Sequence, residues 1–322
     1  MRSGKTLALA VIFVALAAYV YFFEWRKETG ERREKLLNFS PEEAAVVELK
    51  NPAGEIRLER ENAGGWKLTA PLKARADRAA VQSLLETLSA AEVARTVVAD
   101  PPADELKNFG LDQPAARLSV TLKSGVTLPG VLIGGQTPVG QSLYARREVK
   151  PDVLLVDGAL RPVLERKVDD FRDRNILEIK EEALRRIALK SATAQWTLAK
   201  KDNDWALETP RAAPVERARI DKLIVALKSL RAQDFIDAPS DRSRYGLEQP
   251  RLRLEIEQNG RQVELSVGKA RAGKGESFVA VSTAPTIYAV SDAALAALER
   301  DGQALVAAAE NKQAQEKPPA AK

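Results

Sequence analysis

The sequence predicts an α+β protein: an N-terminal transmembrane helix followed by two tandem homologous domains, each a mainly antiparallel sheet with packed helices. Three observations predict this fold. An uncharged apolar run lies close to the N-terminus, the second half of the chain repeats the first, and both halves contain alternating apolar residues separated by short turns. A length of 322 residues agrees with about two domains.

The N-terminal run consists of residues 6–23, which carry no charge. As a helix it would span about 27 Å, close to the roughly 30 Å of a bilayer's hydrocarbon core. Aromatic residues at its far end are typical of a membrane interface. Residues 1–5 would be a cytoplasmic head and residues 24–35 a charged juxtamembrane stalk. A signal peptide cleaved near Ala17 is the alternative, but six more uncharged residues follow that position.

The charges that flank the apolar run do not decide its orientation by themselves. More Lys and Arg residues follow the run than precede it, which by a raw count would keep the downstream part in the cytoplasm. However, long domains cross membranes largely regardless of flanking charge. A short basic head before an apolar run also resembles a signal-anchor. We therefore expect a single-pass membrane protein whose large C-terminal part is extracytoplasmic.

The internal repeat rests on two short elements that return in the same order. Residues 66–71 return at 205–210, 139 positions later, and residues 110–114 return at 246–250, 136 positions later. This period is far longer than the ~20–50 residues of a solenoid unit, so it indicates a duplicated domain. The signature residues of the repeat are Trp66, Pro71, Gly110, Leu111, Asp112, Gln113 and Pro114, and then Trp205, Pro210, Gly246, Leu247, Glu248, Gln249 and Pro250.

The first copy covers residues 36–175 and the second residues 176–300, and residues 301–322 hold the end of a helix, near residue 309, and a disordered tail. Each copy opens with a pair of alternating strands, joined in the first copy by a turn at residues 51–54. A helix follows, with apolar residues at i, i+3, i+4 and i+7. We interpret these residues as core: Val81, Leu84, Leu85 and Leu88, and then Ile220, Leu223, Ile224 and Leu227.

More strands follow the second signature element in each copy. Two of these strands end near Gly134 and Gly268, and the next strands carry residues 143–145 and 278–280. Consecutive strands joined by short turns indicate a mainly antiparallel sheet. Helices that recur at fixed points between groups of strands favour α+β over a doubly wound fold.

The composition excludes several classes of site. The chain has no cysteine and no histidine, which rules out a thiolate nucleophile, a Cys- or His-based metal site and a Ser-His-Asp triad. Its 50 Lys and Arg residues alternate with 45 Asp and Glu residues, so the net charge of +5 is spread along the chain and we predict no nucleic-acid partner. A carboxylate-only metal site and a hydrolase with paired carboxylates stay open.

A glycine-rich stretch at residues 268–274 matches the beginning of a phosphate-binding loop. Gly275 follows where such a loop needs Ser or Thr, and a strand follows where it needs a helix. The first copy has glycines in the same place, at residues 134–140. We interpret both stretches as loops between strands and predict no cofactor.

The signature elements have a structural interpretation and a functional alternative. Gly110 and Gly246 can adopt positive φ, and the proline of each element restricts the residue before it, which indicates a turn that directs the next strand. In the alternative, the two loops present an acid and a glutamine to a ligand. We expect Trp66 and Trp205 in the core because they recur at equivalent positions. The alternative for them is stacking on a sugar.

Charged residues crowd the junction of the two copies, around Phe171: they are Asp169, Asp170 and Asp173, together with Arg166, Lys167, Arg172 and Arg174. We expect Phe171 to attach the junction to one domain. The carboxylates here are candidate ligands for a divalent cation, but the neighbouring cations favour ion pairs instead.

The chain resembles the bacterial membrane-anchored family catalogued as domain of unknown function 4340. The Trp-x-Leu-x-x-Pro element, the Gly-Leu-Asp/Glu-Gln-Pro element with its preceding aromatic residue, and residues 171–177 carry the resemblance, which covers nearly the whole chain after the apolar run. Members of that family have a repeated extracytoplasmic domain and are often encoded beside ABC transporter subunits of the gliding-motility type. The resemblance implies an accessory protein of the bacterial inner membrane and supplies no catalytic residues.

These observations predict a non-enzymatic, membrane-anchored envelope protein, an accessory or scaffold component of a membrane complex such as an ABC transporter. Its expected partners are the membrane and the proteins of that complex. The first alternative is a periplasmic binding module for a cell-wall or other glycan. The second is a carboxylate-dependent hydrolase, which needs two acids facing one pocket.

Overall fold

The computed structural model describes residues 34–316, except 203 and 240, together with five isolated helical positions between residues 13 and 19. The predicted cytoplasmic head, most of the predicted transmembrane helix and nearly all of the predicted stalk therefore lie outside the described residues. Among the residues that are described, no helix is both long enough and apolar enough to cross a membrane. The anchor stays a prediction of the sequence.

The chain divides into two compact units, Met1–Arg172 and Asp173–Lys322, which we call unit 1 and unit 2. This division falls three residues before the boundary expected from the sequence. The reason is local pairing: Arg174 accepts a hydrogen bond from the Ala232 amide, and Asn175 forms a β-bridge with Arg231, so both residues belong to unit 2.

Unit 1 is a nine-stranded sheet in which all neighbouring strands are antiparallel, in the order β4-β3-β2-β1-β6-β7-β8-β9-β5. Its elements are β1 (Ala44–Asn51), β2 (Gly54–Arg60), β3 (Trp66–Ala70), β4 (Ala74–Arg75), α1 (Arg78–Ala90), β5 (Val93–Val98), β6 (Ala116–Leu122), β7 (Val131–Gln136), β8 (Leu143–Arg147), β9 (Val153–Val156) and the single-turn helix α2 (Arg161–Leu164).

Unit 2 repeats this sheet strand for strand, in the order β13-β12-β11-β10-β15-β16-β17-β18-β14. Its elements are β10 (Leu184–Ser191), β11 (Gln195–Lys201), β12 (Asp204–Thr209), β13 (Ala213–Pro214), α3 (Arg217–Lys228), β14 (Ala232–Ile236), β15 (Leu252–Gln258), β16 (Arg261–Arg271), β17 (Glu276–Val281), β18 (Ile287–Ser291) and α4 (Asp292–Glu316). The predicted α+β class with two antiparallel sheets is confirmed.

One helix in each unit carries the chain from one edge of the sheet to the other. In unit 1, α1 leaves β4 at the first edge and leads to β5 at the opposite edge. Asp77 caps this helix by accepting a hydrogen bond of 3.0 Å from the Ala80 amide. The four predicted apolar positions of α1, and the four of α3, are all buried in the core. Burial of this stripe holds the helix against the sheet.

The two units differ most in their closing helices. In unit 2, α4 continues to Glu316, so the predicted end of this helix near residue 309 is wrong, and the tail predicted to follow it is helical as far as residue 316. The helix packs directly over Trp196, because a Cβ atom on Gly302 would lie 2.5 Å from the tryptophan Cζ2 atom. In unit 1, α2 is one turn long, and Phe171 is instead among the fully buried side chains of the core.

The strands that carry the glycine-rich stretches are longer than predicted. β16 continues through Gly268 to Arg271, and β7 continues through Gly134 to Gln136. A break in pairing register interrupts both strands, between Val267 and Ala270 in β16 and at the matching place in β7. The interpretation of these stretches as loops is therefore wrong for their first halves, because a β-bulge lets each strand continue past the point where its alternation fails.

Candidate functional site

The second signature element lies in the long connection that returns the chain from the sheet edge to its centre, between β5 and β6 in unit 1. A 3-10 turn, Glu105–Phe109, leads into Gly110, whose φ is 65°, and in unit 2 the turn Ser243–Tyr245 leads into Gly246, whose φ is 70°. Both values lie in the left-handed region, which glycine adopts without steric cost. The turn expected from the sequence is present in both units.

Each signature glycine packs its backbone against the bulge of a neighbouring strand. A Cβ atom on Gly110 would lie 2.9 Å from the backbone nitrogen of Gly135 in β7, closer than real Cβ contacts allow. Conversely, a Cβ atom on Gly134 would overlap the carbonyl oxygen of Phe109. Glycine is therefore required on both sides of the contact, first for its positive φ and second for the close approach.

Unit 2 reproduces this contact with the same chemistry. A Cβ atom on Gly246 would lie 2.9 Å from the backbone nitrogen of Lys269, and one on Gly268 would overlap the carbonyl oxygen of Tyr245. The glycine that resembled part of a phosphate-binding loop is thus the strand side of a backbone-to-backbone contact. Its surroundings explain its presence without a bound phosphate.

An aromatic pair accompanies the glycine contact in each unit. Phe109 meets Tyr144 edge to face, with ring centroids 5.0 Å apart, and Tyr245 meets Phe278 in the same way at 4.9 Å. Such pairs contribute about 0.5–1.5 kcal/mol beyond their buried area. The ranges predicted for these two strands, residues 143–145 and 278–280, set Leu143 beside Phe278, one residue away from the structural match. The structure makes Tyr144 the counterpart of Phe278, and sequence reasoning missed this exchange of Phe and Tyr.

The acid and the glutamine of the signature have a different environment from the glycine. Asp112 and Gln113 are exposed in unit 1, and Glu248 and Gln249 are exposed in unit 2. Leu111, by contrast, is buried beside Gly134. The prolines Pro114 and Pro250 each stand two residues before the next strand begins. The fold therefore uses the glycine, the leucine and the aromatic residue, and leaves the two polar side chains at the surface.

The first signature element lies on β3 and β12, and its tryptophan points into the core of each unit. Trp66 and Trp205 are both buried in the hydrophobic cores of their units, and the guanidinium of Arg60 lies 4.6 Å from the centre of the Trp66 ring. The peptide bonds that precede Pro71 and Pro210 are cis. A buried tryptophan offers no open ring face, so the sugar-stacking alternative has no support from these two residues.

Comparison with protein families matches this chain twice to the family described as Domain of unknown function (DUF4340), over residues 66–240 and 205–316. The chain belongs to this family. Both matches begin at a signature tryptophan, and residues 205–240 are matched twice, so the sequence pattern of DUF4340 is longer than one structural unit. No curated protein and no solved structure matches the chain.

The junction residues of this DUF4340 protein divide between the two units. Phe171 is buried in the core of unit 1, and its carbonyl accepts a 2.8 Å hydrogen bond from the Asp77 amide. Arg172 is buried and lies 3.3 Å from Asp169. Asp173 accepts hydrogen bonds from Asn175 in unit 2. The described residues include no group of three side chains arranged to hold a metal ion.

Three carboxylates of this protein, Glu48, Glu59 and Asp241, are engaged in ion pairs or hydrogen bonds. Arg57 forms ion pairs with Glu48 and with Glu59, the latter at 2.9 Å. Its hydrogen bond lowers the pKa of Glu59, and a hydrogen bond from the Ser243 hydroxyl lowers that of Asp241. A general acid needs the opposite shift, so neither group suits the hydrolase alternative.

Two open cavities border unit 1, and signature residues line neither of them. The smaller, of about 560 Å³, lies between the end of α1 and the start of α2. Its polar lining includes Glu86, Glu92 and Asp157, and alanines form much of the rest. The larger, of about 840 Å³, is bordered by the entering chain at residues 34–38.

Proposed function

We propose that the protein is a single-pass envelope protein of the bacterial inner membrane, without enzymatic activity, whose two units serve as a scaffold or accessory component of a membrane complex such as an ABC transporter. The observation that carries the proposal is the structural role of the signature residues. In both units its glycine, tryptophan and aromatic residues pack within the fold, and none of them lines the two cavities described at unit 1.

The membrane part of the proposal rests on the uncharged residues 6–23. The side chains described in that run are apolar apart from the Tyr19 hydroxyl, and all of them are exposed: Phe13, Ala15, Leu16, Ala18 and Tyr19. Exposed apolar side chains are stable where lipid replaces water around them. The sequence after this run supplies two folded units for partners on the far side of the membrane.

Capture of partners from native membranes tests this function. Full-length protein with a C-terminal tag is crosslinked in intact cells, extracted with mild detergent, purified and analysed by mass spectrometry. The matched control has residues 6–23 replaced by the transmembrane helix of an unrelated single-pass protein, so that membrane attachment is kept. The proposal predicts stoichiometric transporter subunits with both proteins. Recovery of no specific protein contradicts it.

A second candidate function rests on the exposed acid and glutamine of the signature loops. They recur in both units although no packing contact requires them, as a surface for an envelope glycan would. The variant Asp112→Ala with Gln113→Ala, and the matching pair at Glu248 and Gln249, separates the candidates. Loss of cell-wall fragments from the captured material, with partner proteins retained, supports glycan binding. Captured material that contains no cell-wall fragment before mutation rejects it.

A further inference from the structure

The connections at one end of the unit 1 sheet differ in chemistry from their counterparts in unit 2. Val126, between β6 and β7, exposes 57% of its surface, and Val149, between β8 and β9, exposes 68%. In unit 2 the same connections are Asn259-Gly260 and residues 282–286, which read Ser-Thr-Ala-Pro-Thr. Because both units share one sheet order, unit 2 serves as an internal reference, and the apolar tips are particular to unit 1.

Basic side chains surround these two valines. Lys35, Lys123 and Lys150 are exposed and have no carboxylate partner within the described part of the chain. Two carboxylates beside them are neutralised: Glu34 pairs with Arg147, and Glu148 pairs with Arg117, both at 2.9 Å. Two further acids lie close by: Glu92 lines the larger of the two cavities and forms a β-bridge with Lys35, and the carboxylate of Glu43 accepts a hydrogen bond from the Ser40 amide. The valines and lysines together form a small apolar surface with a basic rim.

The chain enters unit 1 at this same end. Residues 34–38 border a cavity of about 840 Å³ together with Leu128, Pro129, Val149 and Lys150 of the two connections. We call the two connections and residues 34–38 the entry face of unit 1.

Arg147 fastens the entering chain to the entry face. Its Nε donates to the Leu36 carbonyl at 3.0 Å and its Nη2 donates to the Lys35 carbonyl at 2.7 Å. The equivalent residue in unit 2 is Val281. Arg147 pairs with Val131 of β7, and Val281 pairs with Leu265 at the matching position of β16. Fastening by an arginine is therefore particular to unit 1, whereas in unit 2 Gln258 binds the entering chain by accepting from the Lys180 amide and donating to the Glu178 carbonyl.

The length of the intervening chain keeps the entry face near that run. Ten residues, 24–33, separate it from Glu34. The eleven Cα-to-Cα steps from residue 23 to Glu34 span at most about 40 Å when the chain is fully extended. The entry face thus stays within this distance of the end of residues 6–23, whatever path the chain takes.

We propose that the entry face of unit 1 lies on the membrane surface, with Val126 and Val149 in the interfacial layer and Lys35, Lys123 and Lys150 against anionic lipid headgroups. This inference rests on the proposed membrane anchor. Small apolar tips with a basic rim suit such a surface, because apolar side chains enter the boundary between headgroups and acyl chains while lysines attract anionic lipid. Lysine stems also cover apolar surface and keep the ammonium in water.

Fluorescence quenching by labelled lipid tests this contact on the full-length protein in nanodiscs that contain anionic lipid. The chain has no cysteine, so single variants Val126→Cys and Val149→Cys each carry one environment-sensitive label. Val139→Cys is the matched control, since it is an exposed valine in the connection between β7 and β8, at the opposite end of the same sheet. A quencher attached to the lipid headgroup region should reduce emission at least about twofold at the first pair and leave the control unchanged. Equal quenching at all three positions overturns the inference.

Two further arms separate this inference from the proposals on which it rests. A label at Leu16→Cys, near the middle of residues 6–23, reports the anchor itself when the quencher is attached to a lipid acyl chain instead of the headgroup. Quenching at residue 16 without quenching at the two entry-face positions rejects the inference and keeps the anchor, whereas no quenching at residue 16 rejects the anchor. The second arm replaces anionic by neutral lipid. Entry-face quenching should then fall at least about twofold, and undiminished quenching contradicts the role given to the lysines.

Discussion

Substitution of Gly110 by alanine tests the structural role of the signature most sharply. The left-handed backbone costs a residue with a Cβ atom about 1–2 kcal/mol. The new methyl group would also stand 2.9 Å from the Gly135 nitrogen, and overpacking of this kind costs about 1–3 kcal/mol. We therefore expect Gly110→Ala to lower the free energy of unfolding of unit 1 by about 2–5 kcal/mol. Native-state hydrogen exchange in detergent measures this, because the amides of the central strands report the opening of their own unit.

Gly125→Ala is the matched control for this experiment. Gly125 also has positive φ, at 86°, but a Cβ atom there would meet nothing within 4 Å. It should show only the backbone cost, of about 1–2 kcal/mol. The entropy that alanine removes from the unfolded chain is the same in both variants and cancels in the comparison. Gly246→Ala against Gly260→Ala repeats the test in unit 2. Equal losses within either pair would refute the close-approach argument.

Three more substitutions have expected outcomes. Trp66→Ala should cost about 3–5 kcal/mol because the side chain is buried in the core, and unaltered thermal melting would reject that assignment. Gly302→Ala should destabilise unit 2 by about 1–3 kcal/mol, because the new methyl group would overlap the Trp196 ring. The same change in a helix with free space around it is stabilising, so a raised melting temperature would contradict this contact. Arg147→Val removes charge-assisted hydrogen bonds of about 1.5–3 kcal/mol, so exchange of the Leu36 amide should accelerate about ten- to a hundredfold, and unchanged exchange would count against the fastening.

Local patterns allowed much of the fold to be predicted. The turn at residues 51–54 joins β1 and β2, because Asn51 accepts a hydrogen bond from the Ala53 amide within the turn itself. The apolar stripes of α1 and α3 are buried as their spacing predicts. In these cases the residues that decide the structure are neighbours in the sequence, so periodicity and turn chemistry are sufficient to identify them.

The signature contact could be predicted only in part, because its partners are distant in the sequence. Positive φ at Gly110 follows from the residue type, but its approach to Gly135 depends on a loop that crosses the sheet. A bulge adds one residue and breaks the alternation, so the sequence pattern predicts that β7 ends near Gly134, before its true limit, Gln136. The same irregularity displaced the alignment of Tyr144 with Phe278 by one position. Comparison of the two copies contains the information needed. Phe109 and Tyr144 in the first copy become Tyr245 and Phe278 in the second, and such an exchange indicates that the two positions are in contact.

The membrane topology of the two units tests the central claim most directly. Val139 in unit 1 is 90% exposed and Val225 in unit 2 is 64% exposed, so a cysteine at either position can be reached by a reagent in solution. The chain has no other cysteine, so Val139→Cys and Val225→Cys each carry a single labelling site. The account predicts that a membrane-impermeant maleimide labels both variants in intact spheroplasts, and that the protein stays with the membrane after alkaline carbonate extraction. Labelling only after permeabilisation, or release of the protein by carbonate, would contradict a membrane-anchored protein whose two units lie outside the cytoplasm.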